Sequence, residues 1–94
     1  MFDIRMQDDN VLVVSGRLDA SQADKADRML SSVAQSAVAD LGGLDYISSA
    51  GIGVFVKAQV RLQAAGHTLK LVNIHPRVRA VFHYARLDQT FGIE

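Results

Sequence analysis

Apolar and charged residues alternate over residues 2–6, which read FDIRM. A period of two residues predicts a half-buried strand. The polar cluster at 7–10 predicts a turn, and the apolar run at 11–15 predicts a second strand. Because the connection is so short, we expect the two strands to form an antiparallel hairpin, which the segment 16–19 leaves.

The spacing of apolar residues then changes to steps of three and four. The residues that follow this spacing are Ala23, Ala26, Leu30, Val33 and Ala37. Such spacing predicts an amphipathic helix. Ser21 and Asp24 resemble a capping box with a shortened acid, so we expect the helix to begin near them.

A short apolar run at 37–41 ends at Gly42 and Gly43 and predicts a buried central strand. A second helical pattern follows, whose apolar residues are Ile52, Phe55, Ala58, Leu62 and Ala65. Gly66 stands where a helix commonly ends. The strand before this helix is expected to finish near Ile47, and the helix to start around residues 50–52.

The last part of the chain repeats the alternation of strand and helix. Residues 69–74 predict a strand, and Pro76 suits the first turn of a helix that has Val78 and Phe82 on its inner face. The predicted order is therefore β-β-α-β-α-β-α. Its later strands are separated by helices that allow parallel crossovers. We expect an α/β fold in which helices cover a mixed sheet, as one domain over residues 1–94.

Composition narrows the class of protein. The chain has 94 residues, of which 49% are hydrophobic and 21% charged, as in a compact fold rather than a disordered chain. Ten basic residues balance ten acidic ones, so no net charge attracts nucleic acid or an anionic membrane. There is no signal-peptide pattern and no run of the roughly 20 apolar residues that a membrane span needs. A cytoplasmic location is the expectation.

The common chemical motifs are absent from the sequence. Cysteine is missing, and the spacing of His67, His75 and His83 fits no common metal-ligand motif. Gly51 and Gly53 begin a dinucleotide-binding fingerprint that fails at Val56. His75 and Ser49 are far apart in the sequence, so the sequence alone gives little evidence that they form a catalytic triad. We therefore expect no enzymatic activity, no metal and no cofactor.

The segment DYISSAGIG, residues 45–53, places two serines at a junction between a strand and a helix. Serine is a favoured helix N-cap, and capping explains one of the two. Two glycines in the first turns weaken a helix by up to about 1 kcal/mol each relative to alanine. Small residues there leave a hydroxyl uncovered, and a helix N-terminus accommodates a phosphate. The combination suggests a phosphorylation site.

The segment from Ala39 to Gly53 resembles the signature of STAS domains, especially bacterial anti-sigma factor antagonists, also called anti-anti-sigma factors. The resemblance extends to the hairpin, to Gly-Arg-Leu-Asp at 16–19, and to the closing residues 87–93. It implies a regulator that binds a cognate anti-sigma factor, an HATPase-type serine kinase, and releases it once phosphorylated. A PP2C-type phosphatase would reverse the modification.

Matching Gly51 and Ile52 to the family motif makes Ser49 the implied phosphoacceptor and Ser48 the second choice. Ser48 stands where the motif usually has an acid, and Ala50 where it has a second hydroxyl. The resemblance also implies a docking surface for the partner. Its residues are Ser48, Ser49, Ala50, Gly51, Lys57, Arg61, Asp19 and Ser21.

Two alternatives keep the same fold. The chain could be a STAS accessory subunit of an ABC-type lipid transport complex, in which no phosphorylation is needed. It could also be an α/β interaction module in which the serines only cap a helix.

Overall fold

The computed structural model describes residues 1–8, 10–91 and 93. The elements follow in chain order: β1 (Asp3–Asp8), β2 (Val11–Leu18), a 3₁₀ turn (Ala20–Gln22), α1 (Ala23–Ser31), β3 (Ala37–Ile47), α2 (Ser49–Ala64), β4 (Leu69–Val72), α3 (Pro76–Tyr84) and α4 (Asp88–Phe91). The predicted order of strands and helices is confirmed, while the short helix α4 was not predicted. The predicted turn at 7–10 includes Asp9, and the closing motif at 87–93 includes Gly92; both residues lie outside the described ranges.

Within the described residues, one mixed sheet has the strand order β1-β2-β3-β4. The first two strands pair antiparallel, as the hairpin prediction requires, with Ile4 opposite Val14. β3 runs parallel to both β2 and β4. Parallel strands need crossover connections, which α1 and α2 supply. The crossovers make β2 and β3 parallel, so their carboxyl ends lie at the same end of the sheet.

The core lies on one face of this sheet. Alternate strand residues such as Leu12, Ala39 and Leu71 form one buried cluster with residues of the helices, including Phe55 and Phe82. The two aromatic rings meet edge to face, with their centroids 6.4 Å apart. On the opposite face the valines at 11, 13, 38 and 72 are half-buried and take no part in this cluster. In the part of the chain that the structure describes, the helices therefore cover one side of the sheet.

β2 is longer than predicted, because it continues through Leu18. β3 finishes at Ile47 as expected, but it runs without a break through Gly42 and Gly43, where the apolar run predicted an end. The two glycines do not form a turn, because Gly43 pairs with Ser15 of β2. A Cβ atom on Gly43 would lie 2.9 Å from the Ser15 Cβ. This glycine therefore permits a close approach of two strands and does not end one.

The predicted start of α1, near Ser21 and Asp24, is confirmed, but Ser21 is not its N-cap: the N-cap is Gln22, whose side chain makes no capping bond. The capping group is Asp19, whose carboxylate accepts the Ser21 backbone N–H and so caps the 3₁₀ turn; α1 proper begins at Ala23. The helix ends at Ser31, so Val33 reaches the core from beyond it and Ala37 belongs to β3. Similarly, β4 ends at Val72 rather than at residue 74. The apolar spacing continues past the ends of α1 and β4 because residues beyond each element, such as Val33 and Ile74, also contact the core.

A buried glutamine connects α2 to the remainder of the fold. The Gln59 carboxamide accepts the Leu69 backbone N–H at 2.7 Å and donates to the Leu69 carbonyl at 2.8 Å. It also donates to the Thr90 carbonyl at 2.8 Å. Because a buried polar group is costly unless it is hydrogen-bonded, these three bonds allow Gln59 to lie inside the core.

Candidate functional site

The candidate site lies where β3 ends and α2 begins. The Ser48 backbone N–H donates to the Leu18 carbonyl at 2.9 Å, which holds this junction beside the end of β2. The 3₁₀ turn that follows β2 packs against α2. Asp19 and Ser21 are therefore brought next to Ser48 and Ser49, although thirty residues or so separate them in the chain. We call Asp19, Ser21, Ser48, Ser49 and Ala50 together the Ser49 surface.

The two adjacent serines have different environments. Ser48 is the N-cap of α2, with an extended backbone, and its side-chain oxygen accepts the Gly51 N–H at 3.2 Å. Ser49 is the first helical residue and is exposed. Its hydroxyl makes no hydrogen bond among the residues that the structure describes. Ser48 therefore has a structural task, while the Ser49 hydroxyl is available to another protein.

This difference predicts unequal effects on stability. Replacing an N-cap serine with alanine typically costs about 1 kcal/mol, so Ser48→Ala should lower the free energy of unfolding by about that amount. Ser49→Ala should change it by less than about 0.5 kcal/mol, as is usual for an exposed residue. Urea denaturation of the two variants measures both values. Equal losses would show that the serines share the capping task.

The glycines after the serines also differ. Gly51 is buried, and a Cβ atom there would lie 2.7 Å from the Leu18 Cγ and 2.9 Å from the Ile47 Cγ1. Gly53 is exposed, and a Cβ atom there would meet nothing within 4 Å. Packing therefore explains Gly51, whose role lies in the core and not on the Ser49 surface. Packing does not explain Gly53, which follows Ser49 by four residues, about one turn of α2.

Asp19 supplies the negative charge of the Ser49 surface. One of its carboxylate oxygens accepts the Ser21 hydroxyl at 2.6 Å and the Ser21 backbone N–H at 3.1 Å. The bond from the Ser21 hydroxyl is the main reason that the pKa of Asp19 lies below its ordinary value of 3.8. Asp19 is therefore ionised at neutral pH, next to the start of α2.

The Ser21 hydroxyl can be tested through the titration of Asp19. A depressed pKa means that the folded state favours the carboxylate, so the contribution to stability is present above the ordinary value of 3.8 and is lost as the pH falls through the folded pKa. We expect Ser21→Ala to raise the pKa of Asp19 towards its ordinary value. NMR titration of the Asp19 carboxyl carbon in both proteins measures this shift. An unchanged titration would mean that the backbone N–H alone holds the carboxylate.

Lys57 and Arg61 lie further along α2 and face α1. The Lys57 ammonium group forms an ion pair with Asp27 at 3.2 Å. The Arg61 guanidinium donates to the Leu30 carbonyl at 2.8 Å, near the end of α1. At 1.5 Å per residue these side chains start about 12 and 18 Å from Ser49 along the helix. Both charges therefore support the contact between α1 and α2, and the structure does not gather them at the Ser49 surface.

His75 and His67 each contact a polar group of this chain. His75 is the N-cap of α3, where its Nδ1 atom accepts the Arg77 N–H at 3.2 Å. The His67 ring lies 3.4 Å from the Ser36 hydroxyl. The described residues contain no group of three potential ligands that could hold a metal ion. In the same part of the chain, no helix has both the length and the apolar character to cross a bilayer.

Comparison with known proteins identifies the family. The STAS domain family matches residues 2–94, and the chain belongs to this family. Its relatives include the candidate anti-sigma factor antagonist BtrV of Bordetella bronchiseptica, which is 41% identical over 74 residues. The match covers 79% of this chain and 58% of BtrV, so it spans little more than half of that relative.

Solved structures show the same fold. The anti-sigma factor antagonist SpoIIAA in its unphosphorylated form matches with a TM-score of 0.74 and 20% identity, over 100% of this chain and 99% of that one. The phosphorylated form of the Bacillus cell fate determinant SpoIIAA matches with a TM-score of 0.71 and 21% identity, over 95% and 86% of the two chains. The predicted resemblance to STAS domains is therefore confirmed, and the fold is that of the antagonists.

Proposed function

We propose that this protein is an anti-sigma factor antagonist controlled by phosphorylation of Ser49. Unmodified, it binds a cognate anti-sigma factor that is also an HATPase-type serine kinase; once phosphorylated, it releases that partner. A PP2C-type phosphatase restores the binding form. The chain itself acts by binding and has no catalytic role, and residues 1–94 act as one domain in a cytoplasmic circuit.

Family and relatives support the general role. The chain belongs to the STAS family and shares 41% identity with a candidate antagonist over 74 residues. SpoIIAA, whose fold it shares, has been solved in an unphosphorylated and a phosphorylated form. A phosphorylation switch is thus compatible with this fold.

The main support for the proposal is that Ser48 and Ser49 have different structural roles. Ser48 caps α2 with its side-chain oxygen, whereas Ser49 is exposed at the first position of the helix. A kinase needs a hydroxyl that can leave the protein surface and enter its active site. Ser49 meets this requirement without the loss of a cap, and Ser48 does not.

The start of α2 also suits the product of the reaction. The first N–H groups of a helix have no partner within it, and the positive end of the helix dipole favours an anion by about 0.3 to 1 kcal/mol. A phosphate at Ser49 carries about 1.5 to 2 negative charges at pH 7. We expect the modified domain to stay folded, so that the effect of the phosphate falls on the partner.

The proposed docking surface has two parts. The Ser49 surface forms its centre, where Asp19 supplies an acidic group. The exposed side of α2 around Lys57 and Arg61 extends it towards α1. Gly51 contributes indirectly, since its missing side chain lets α2 approach Leu18.

The proposal is tested by capture of the native partner. The Ser49→Ala protein, immobilised and exposed to an extract of its native cells, should retain an HATPase-type kinase that mass spectrometry identifies. Ser49→Asp serves as the matched control and should retain far less of it. Recovery of an ABC-transporter ATPase by both variants would instead favour the accessory-subunit alternative and would contradict the switch.

A further inference from the structure

We propose that the outer edge of β1 is a homodimer interface, through which two copies of this chain join their sheets into one. The edge is at the side of the sheet away from β4, because the strand order is β1-β2-β3-β4. In β1 the residues from Arg5 to Asp8 are exposed. The proposed partner is a second copy of this chain. This interface does not depend on the proposed phosphorylation switch.

The edge is open to pairing. β1 pairs with β2 on its inner side. Among the described residues, no strand pairs with β1 on its outer side. Lys25 of α1 lies near the start of β1, with its ammonium group 3.5 Å from the Phe2 carbonyl. Unpaired N–H and C=O groups along an edge strand are a template for another strand. A long lysine side chain at one end can move aside as that strand arrives.

The charges of β1 favour one register of an antiparallel pair. Directly opposed residues of an antiparallel pair have their side chains on the same face of the sheet, and successive residues of a strand face opposite sides. The two-fold axis therefore has to pass through a residue and not between two. An axis through Asp3 would place Asp3 opposite its own copy, and an axis through Arg5 would do the same to Arg5. Like charges directly opposite each other are destabilising.

An axis through Ile4 has the opposite effect. Asp3 of each copy then lies opposite Arg5 of the other, which gives two cross-strand ion pairs on the open face of the sheet. Within one chain these side chains already lie 3.2 Å apart and are largely exposed, so both can reach across the interface. An axis through Met6 would place apolar Ile4 opposite acidic Asp8. The charge pattern thus makes β1 complementary to itself in the Ile4 register.

The apolar side of β1 supports the same register. Ile4 would face its own copy, and Met6 would lie opposite Phe2. Met6 is 37% exposed in the single chain. Pairing in this register would cover part of the exposed Met6 side chain.

Charge exchange tests this interface. Sedimentation equilibrium should show a monomer–dimer equilibrium for the unmodified protein at concentrations up to roughly 1 mM, within the range expected of a weak complex. Arg5→Asp places Asp3 opposite an acid and should raise the dissociation constant at least tenfold. The double variant Asp3→Arg/Arg5→Asp restores opposite charges and should return it to within about threefold of the original, since each cross-strand pair acts as before.

Cysteine cross-linking tests the register separately. Because the chain contains no cysteine, a mixture of Asp3→Cys and Arg5→Cys proteins should form a mixed disulfide, whereas Asp3→Cys alone should not. A protein that stays monomeric at the highest concentration would overturn the interface. So would a double variant as weak as Arg5→Asp, provided that thermal unfolding shows all variants folded. None of these results bears on Ser49, so failure here leaves the proposed switch standing.

Discussion

A Ser49→Asp substitution should weaken binding to the proposed anti-sigma factor partner by about a hundredfold, which corresponds to about 2.7 kcal/mol. The physical reason is charge. Ser49 is exposed beside Asp19, so the substitution adds a second acid to a surface that already carries one. An uncompensated charge within a protein interface costs several kcal/mol. Isothermal titration calorimetry with the purified HATPase-type partner measures the change.

Two variants serve as controls for this prediction. Ser49→Ala removes the hydroxyl without adding charge, and we expect it to bind as tightly as the unmodified protein and to resist release by ATP. Ser48→Asp tests the neighbouring position, where aspartate is itself a good N-cap and should preserve the fold. Similar affinities for Ser49→Asp and Ser49→Ala would argue that charge at this position does not control binding.

The second large effect concerns Gly51. Gly51→Ala would place a Cβ atom 2.7 Å from Leu18 and 2.9 Å from Ile47, both of which are buried. Overpacking of a core typically costs about 1 to 3 kcal/mol, and the better helix propensity of alanine returns up to about 1 kcal/mol. We expect a net loss of about 1 to 2 kcal/mol in the free energy of unfolding, as measured by urea denaturation.

Gly53→Ala is the matched control, because it is the same substitution two residues later in the same helix. A Cβ atom at Gly53 meets nothing within 4 Å, so the variant should gain up to about 1 kcal/mol from helix propensity. The two variants should therefore move the midpoint of thermal unfolding in opposite directions, by several degrees each for a domain of this size. If Gly51→Ala were as stable as Gly53→Ala, the packing of α2 against β2 and β3 would be looser than described.

Much of the fold could be predicted from periodicity. The alternation at residues 2–6 indicated β1, and steps of three and four indicated α1 and α2, because burial on one side of a strand or helix leaves those periods in the chain. Boundaries were less predictable. Gly42 and Gly43 suggested the end of a strand, although Gly43 lies within β3 to accommodate Ser15. Whether a glycine forms a turn or allows a close approach depends on the neighbouring strand, which periodicity does not describe.

The position of the site could be predicted from the sequence, but the separate roles of its residues could not. The pair of serines at a predicted junction indicated the N-terminus of α2, but the capping bond assigns the cap to Ser48 only in three dimensions. Gln59 was missed, although a signal existed: it continues the spacing of Ile52, Phe55 and Leu62, so it falls in the apolar stripe of the helix. Its burial depends on Leu69 and Thr90, which are distant in sequence.

The roles of Lys57 and Arg61 show a further limit. Both charges fall on the outer side of α2 and suggested contacts with a partner. Within the chain they bind Asp27 and the Leu30 carbonyl of α1. A helical pattern identifies which side of a helix is polar, but it does not tell whether that side faces a neighbouring helix. The proposed docking surface is therefore centred on the Ser49 surface.

Phosphate on Ser49 is proposed to govern binding, and the most direct test uses the modified protein itself. The chain would be prepared with phosphoserine incorporated at position 49, at position 48, or at neither, and each form titrated calorimetrically into the purified anti-sigma factor. We predict tight binding by the unmodified form, binding at least about a hundredfold weaker by the form modified at Ser49, and a folded domain in both cases. Equal affinity of the unmodified form and the form phosphorylated at Ser49 would contradict the account.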